Sequence, residues 1–209
     1  IAGAPSIVPQ LLGATPRFDG RFAYENGGVT VSHARIDGQN LRAGVVGRIV
    51  RGEANLSLEA TARGPLDLGG AQINGALDAT GRITGRIARP TITANASLSS
   101  FAAGGVVVEQ PVVAFTLAPR GGGYAGRAEV EGQASGQPLN ASALIGIDNG
   151  IITLTELDGQ LGALQAQGGA SIAARGVSAE LDVNGAIDGL MPGVTGRLVG
   201  DLSLTPDML

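Results

Sequence analysis

The chain offers few residues whose types and spacing could support catalysis or bind a metal. His33 is the single histidine among 209 residues and there is no cysteine, so neither a two-histidine site nor a thiolate site can be assembled from this sequence. Glu129 and Glu131 could form an acid–base or calcium pair, but their alternation with Ala128 and Val130 favours a solvated strand face. We therefore expect no enzymatic or metal site.

The glycine triplet Gly121 to Gly123 could in principle cradle a phosphate with its backbone amides. It is not followed by a Lys-Ser/Thr pair or by a helix, so a hairpin tip is the better interpretation. The 14 basic residues are all arginine, the net charge is −4 and aromatic residues make up 3%. Because no dense basic cluster with aromatic platforms is present, we expect no nucleic-acid partner and no cofactor.

The organising stretch of the sequence runs from Leu77 to Ile87. Its odd positions are apolar or glycine and its even positions are polar, which is the period of a strand with one wet face. After Pro90 the phase flips, and the alternation resumes at Ile92. The pair Arg89-Pro90 therefore predicts a corner between two strands, because proline cannot donate to a sheet ladder.

The octet that begins at Thr80 recurs imperfectly at Thr15 and at Thr195. Between such alternating segments lie turn signals, among them Asn26-Gly27 and Asp158-Gly159. A short helix is predicted over 6–13, and a repeat boundary near 188–195. No linker or charge run divides the chain, so we expect residues 1–209 to form a single continuous structure cut from a longer protein.

Composition then limits the architecture. The chain has 35 glycines, and 44% of its residues are apolar, mostly Ala, Val, Leu and Ile. About 15 to 18 strands at about 4.8 Å spacing would make a sheet too long to remain flat. We expect an all-β fold, an elongated curled sheet with solenoid-like repeats, an apolar inner groove and at most one or two short helices.

The stretch Gly75 to Ala94, with its Gly-rich strand leading through Pro90 into another alternating strand, resembles the repeating unit of the TamB/AsmA-like family. The stretch Ile151 to Ile172 is similar to neighbouring units of that family. The resemblance implies a middle segment of a periplasmic protein that is anchored in the inner membrane of a Gram-negative bacterium. It also implies an outer-membrane partner of the TamA barrel type, which would be met through parts outside this segment.

The resemblance further implies a bridge-like lipid-transfer role, in which a β-groove shields phospholipid acyl chains between the two membranes. Two alternatives stay open: a scaffold that captures outer-membrane protein or autotransporter strands by β-augmentation, and a closed structural or adhesin-type β-domain. The candidate groove-lining residues are Phe18, Phe22, Leu56, Leu58, Ala60, Leu77, Ile83, Ile87, Ile92, Ala94, Ala96, Leu98, Val130, Leu139, Ala141, Ile152, Leu154, Val177, Leu181, Val183, Leu198 and Leu202.

Overall fold

The computed structural model describes residues 7–67, 71–103, 105–173, 176–190 and 194–205. Within these ranges the chain is all-β apart from one short helix, which confirms the predicted fold class. The elements are α1 (Ile7–Leu12), β1 (Arg17–Glu25), β2 (Gly28–Asp37), β3 (Leu41–Val50), β4 (Glu53–Arg63), β5 (Leu66–Asp67), β6 (Ala71–Arg86), β7 (Thr91–Ala103), β8 (Val106–Arg120), β9 (Gly123–Ala134), β10 (Gln137–Asp148), β11 (Ile151–Leu161), β12 (Leu164–Ala173), β13 (Gly176–Ala186) and β14 (Arg197–Leu204).

The described residues fall into two compact units, and each unit is an antiparallel meander. The N-terminal unit spans 4–105 and orders its strands β1-β2-β3-β4-β6-β7, with the two-residue β5 on β6. The C-terminal unit, from Val106 onward, orders its strands β8 to β14 as they occur in the sequence. The described strands number fourteen, fewer than expected, because individual strands are long: β6 has 16 residues and β8 has 15.

Four tight hairpins share one backbone signature. Asn26-Gly27, Arg51-Gly52, Ser135-Gly136 and Asn149-Gly150 each place two successive residues at positive φ, between 49° and 80°. This is the type I′ geometry, whose twist matches that of antiparallel strands. The two Asn-Gly turns are readable from the sequence, whereas Arg51 and Ser135 carry no such signal.

One predicted turn is wrong. Asp158-Gly159 lies inside β11, where Gly159 pairs with Ala141 on one side and Ala166 on the other. The chain reverses instead at Gly162, which has a φ of 58° and donates its N–H to the carbonyl of Pro138.

The predicted corner at Arg89-Pro90 is confirmed, but the preceding strand ends one residue earlier than expected. Strand β6 ends at Arg86, and Ile87 belongs to the turn. The N–H of Ile87 donates to the carbonyl of Gly52, and the N–H of Arg89 donates to that of Arg86. These bonds turn the chain before Pro90, so Ile87 leaves the alternation of β6.

The segments at 6–13 and 188–195 differ from each other. Helix α1 covers Ile7–Leu12, with Gly13 past its end at a φ of 67°, as predicted, whereas Ser6 lies outside the described residues. Around 188–190 the chain forms a turn, closed by the Gly196 N–H donating to Oδ1 of Asp188, and 191–193 lie outside the described residues. Among the described residues, no helix is long and apolar enough to span a membrane.

Candidate functional site

In the N-terminal unit the predicted lining residues, except Ile87 in the turn after β6, share one side of the sheet, here called the N-terminal apolar face. Leu56 lies opposite Ile83 across the β4–β6 ladder, and Ile83 lies opposite Ile92 across β6–β7. Such rows of side chains run across the strands, and neighbouring rows on one face are two residues apart along each strand. The predicted residues on this face are Phe18, Phe22, Leu56, Leu58, Ala60, Leu77, Ile83, Ile92, Ala94, Ala96 and Leu98.

The C-terminal unit repeats the arrangement on its own sheet, forming the C-terminal apolar face. Val130 lies opposite Ala141, and the same row continues through Ala166 to Val183. The predicted residues on this face are Val130, Leu139, Ala141, Ile152, Leu154, Val177, Leu181, Val183, Leu198 and Leu202.

One corner of the N-terminal apolar face is covered by α1 and β5. Leu66 of β5 is 1% exposed and packs with the buried Ala62, while Leu11 of α1 packs against this cluster. The side chain of Gln10 fastens the helix, because its Nε2 donates to the Asp67 carbonyl and its Oε1 accepts from the Asp67 N–H. The Gln10 side chain thus bonds both the N–H and the carbonyl of Asp67, as the backbone of a neighbouring strand would. The helix and β5 together cover this corner of the face.

Elsewhere on this face the described buried residues pack against strands beside them in the same sheet. Val31, Ala54 and Leu56 form a cluster whose surrounding apolar side chains come from β2, β3 and β6. Ile92, in the same row as Leu56, and Leu58, in the next row, are half-buried. The described strands of the unit therefore leave this part of the face without a second layer of their own.

The predicted lining residues differ in how far their side chains are exposed to solvent. Leu56 and Val183 are buried, at 9% and 5%, so they support the face without offering much surface to a ligand. Most of the others are half-buried. The exposed members are Phe18, Phe22, Ile87, Val177, Leu198 and Leu202.

A cavity of the N-terminal unit lies on the opposite, polar side of the sheet, where alternation alone does not predict it. Its volume is about 730 Å³, and both polar and apolar residues of β2, β3, β4, β6 and β7 line it. The side chain of Glu59 lies over Gly44, which it faces across the β3–β4 ladder: its Oε1 is 3.1 Å from where a Cβ on Gly44 would be. Those lining residues include Arg42, Glu59, Thr61, Asp78, Thr80 and Asn95.

Charged pairs at one end of this cavity are half-buried or exposed. Nε of Arg35 and Nε of Arg42 each lie 2.9 Å from a carboxylate oxygen of Asp37. The hydrogen bonds from Arg35, and then from Arg42, lower the pKa of Asp37 below its ordinary value. His33 lies 3.3 Å from Asp19 on the neighbouring strand. These pairs brace β1, β2 and β3 on the wet side and form no catalytic arrangement.

In the C-terminal unit two carboxylates face each other on the polar side. Asp182 of β13 lies directly opposite Asp201 of β14. The hydrogen bond between them and their mutual repulsion raise the pKa of Asp182, since one proton shared by the pair relieves the like charge. Both line an open cavity of about 690 Å³.

The described residues hold no group of three or more His, Asp or Glu side chains that could bind a metal. Comparison of the chain with protein-family models, curated proteins and solved structures gives no match. The two apolar faces are the candidate functional surfaces of the described residues.

Proposed function

We propose that this chain is a segment of a periplasmic envelope-biogenesis protein whose apolar faces shield phospholipid acyl chains in transit between the inner and outer membranes. The observation that carries the proposal is the one-sided distribution of aliphatic rows in each unit. Extended exposed apolar surface on a folded protein commonly marks a binding surface.

The dimensions of the N-terminal unit suit an acyl chain. Its six main strands extend over about 24 Å along the sheet at about 4.8 Å per strand, compared with the roughly 15 Å of hydrocarbon in one bilayer leaflet. A chain lying across the strands would cross several aliphatic rows. Each CH₂ removed from water contributes about 0.8 kcal/mol, so many weak contacts suffice to hold a lipid.

Small side chains dominate the middle of this face, which suits passage more than tight binding. Ala60 pairs with Ala79, and Ala79 pairs with Ala96, so one row across three strands consists of methyl groups alone. In the next row Gly81 pairs with Leu58 on one side and Ala94 on the other. A surface of low relief lets an apolar chain slide, because no deep pocket fixes it in one position.

The test is phospholipid extraction from vesicles that contain a pyrene-labelled phospholipid, followed by re-isolation of the protein and measurement of bound pyrene. Ala94→Asp places a carboxylate on the N-terminal apolar face, and the matched Thr93→Asp places one on the exposed polar side. We expect wild type and Thr93→Asp to carry lipid and Ala94→Asp to carry about tenfold less, since burying a charge against a lipid tail is costly.

Circular dichroism of both variants serves as the folding control. Equal lipid loading of Ala94→Asp and Thr93→Asp, with both variants folded, would contradict the proposal. So would a wild-type protein that extracts no lipid.

A further inference from the structure

Two neighbouring rows of the N-terminal apolar face differ in height above the sheet. One row consists of alanines, Ala79 of β6 and its partners on β4 and β7. The row beside it contains Leu77 of β6, which pairs with Leu98 of β7. Because a leucine side chain extends further from the backbone than a methyl group, the face rises from the alanine row to this leucine row.

The leucine row borders the corner that α1 and β5 cover. Leu77 and Leu98 are half-buried, and they pack against the buried cluster that contains Leu66 and Ile73. Leu66 of β5 pairs with Ile73 of β6, and Leu11 of α1 packs against the same cluster. The apolar side chains of this corner therefore already bury their surface against other residues of the unit.

The position of α1 depends on its contacts with the sheet. The side chain of Gln10 makes two hydrogen bonds to the backbone of Asp67, of 2.9 and 3.2 Å, and the Gln10 carbonyl accepts from Nδ2 of Asn40 at 2.9 Å. The N–H of Asn40 also donates to the carbonyl of Leu11. A helix of six residues is too short to be stable alone, so these contacts keep it in place.

We propose that α1 and β5 form a wall that confines an acyl chain to the open part of the N-terminal apolar face, and that Gln10 positions this wall. The wall has this role only if the face holds phospholipid, so the inference rests on the proposed function. An acyl chain in the alanine row would meet the leucine row on one flank and could not pass beyond it, because the corner is already filled. The rows of Leu58 and Ile92, on the other flank, remain open to it.

The wall limits which apolar residues a lipid can touch. Phe101 pairs with Ile73 and packs against the buried cluster, so it lies behind the wall, whereas Ile92 lies in the open part of the face. Release of α1 would therefore add the corner to the lipid-binding surface. A cover that only stabilises the fold predicts a less stable Gln10→Ala protein but no new lipid contact at Phe101.

Photo-crosslinking of the whole chain to phosphatidylcholine vesicles tests the wall. A benzophenone amino acid replaces either Phe101, whose ring it resembles, or Ile92, and adducts are quantified by mass spectrometry. With Gln10 present, we expect a phospholipid adduct at position 92 and little or none at position 101. With Gln10→Ala added, the adduct at position 101 should increase at least about tenfold, because two hydrogen bonds that hold the helix are lost.

Hydrogen–deuterium exchange in the absence of lipid measures the opening of the wall separately. The N–H of Asp67 donates to Oε1 of Gln10, so Gln10→Ala should speed its exchange about tenfold. The matched control is Gln39→Ala, which removes an exposed side chain beside the helix and keeps the hydrogen bond from the Gln39 N–H to the Leu12 carbonyl. This control should change neither the exchange at Asp67 nor the capture of lipid.

Equal capture at positions 101 and 92 while Gln10 is present would overturn the proposal. Unchanged exchange at Asp67 in Gln10→Ala would also overturn it, and so would faster exchange without new capture at position 101. In these cases an adduct at position 92 would leave the proposed function standing. The absence of an adduct at position 92 in every variant would contradict the proposed function, and the wall with it.

Discussion

Val31 and Leu56 belong to one buried cluster although a whole strand separates them. The residue between them in register is Gly47 of β3, which pairs with Val31 on one side and Leu56 on the other. Because Gly47 has no side chain, the two larger side chains can close over its backbone. At 8% and 9% exposure they are among the best-buried residues of the N-terminal apolar face.

Gly47→Ala should therefore destabilise the fold. A Cβ at this position would collide with the carbonyl oxygen of Asn55 and approach the Cα of Leu56, and the φ of 139° is strained for any L side chain. We expect a loss of about 1–3 kcal/mol in the free energy of unfolding, measured by urea denaturation. Gly52→Ala is the control, because Gly52 also has positive φ but nothing lies within 4 Å of its Cβ position. An equal loss at both positions would show that crowding over Gly47 is not the cause.

Asp37 should stabilise the fold in a pH-dependent way. Its pKa is lowered in the folded state by Arg35 and Arg42, so the ionised form is favoured on folding. The stabilisation is complete above the unfolded pKa and is lost as pH falls through the folded pKa. Asp37→Asn should lower the urea midpoint at pH 7 and have little effect at about pH 2. Asp78→Asn removes the same charge from β6 as a control, and an effect of Asp37→Asn that does not change with pH would contradict this origin.

The carboxylate pair Asp182 and Asp201 in the C-terminal unit should make the stability of the fold change with pH in the opposite direction. The raised pKa of Asp182 means that its protonated form is favoured on folding, so the native state loses stability as pH rises from the unfolded pKa through the raised folded pKa. Asp201→Asn should raise the urea midpoint at pH 7 and have little effect at about pH 3. Glu180→Gln is the control on the same strand face, and a lower midpoint for Asp201→Asn at pH 7 would disprove the repulsion.

Alternation alone predicts which residues share a face. The stretch 53–63 alternates without a phase error in the sequence, and β4 has those bounds. The turn predicted at Asp158-Gly159 is wrong for a physical reason. An Asp-Gly dipeptide is compatible with a turn and also with a strand. Here β11 pairs with β10 and with β12, which places Gly159 between Ala141 and Ala166 and keeps the dipeptide in a strand. The cavity beside Gly44 depends on how the sheet of the N-terminal unit bends, to which register shifts between Val31 and Ala34 and near Gly75 contribute. No local pattern encodes that bending.

Site-specific photo-crosslinking shows whether the apolar faces hold acyl chains. A benzophenone amino acid replaces Leu58 on the N-terminal apolar face or its neighbour Ser57 on the polar side, and the proteins are irradiated with phospholipid vesicles. We expect a phospholipid adduct, identified by mass spectrometry, at position 58 and none at position 57. Equal capture at both positions, or capture at 57 alone, would contradict it.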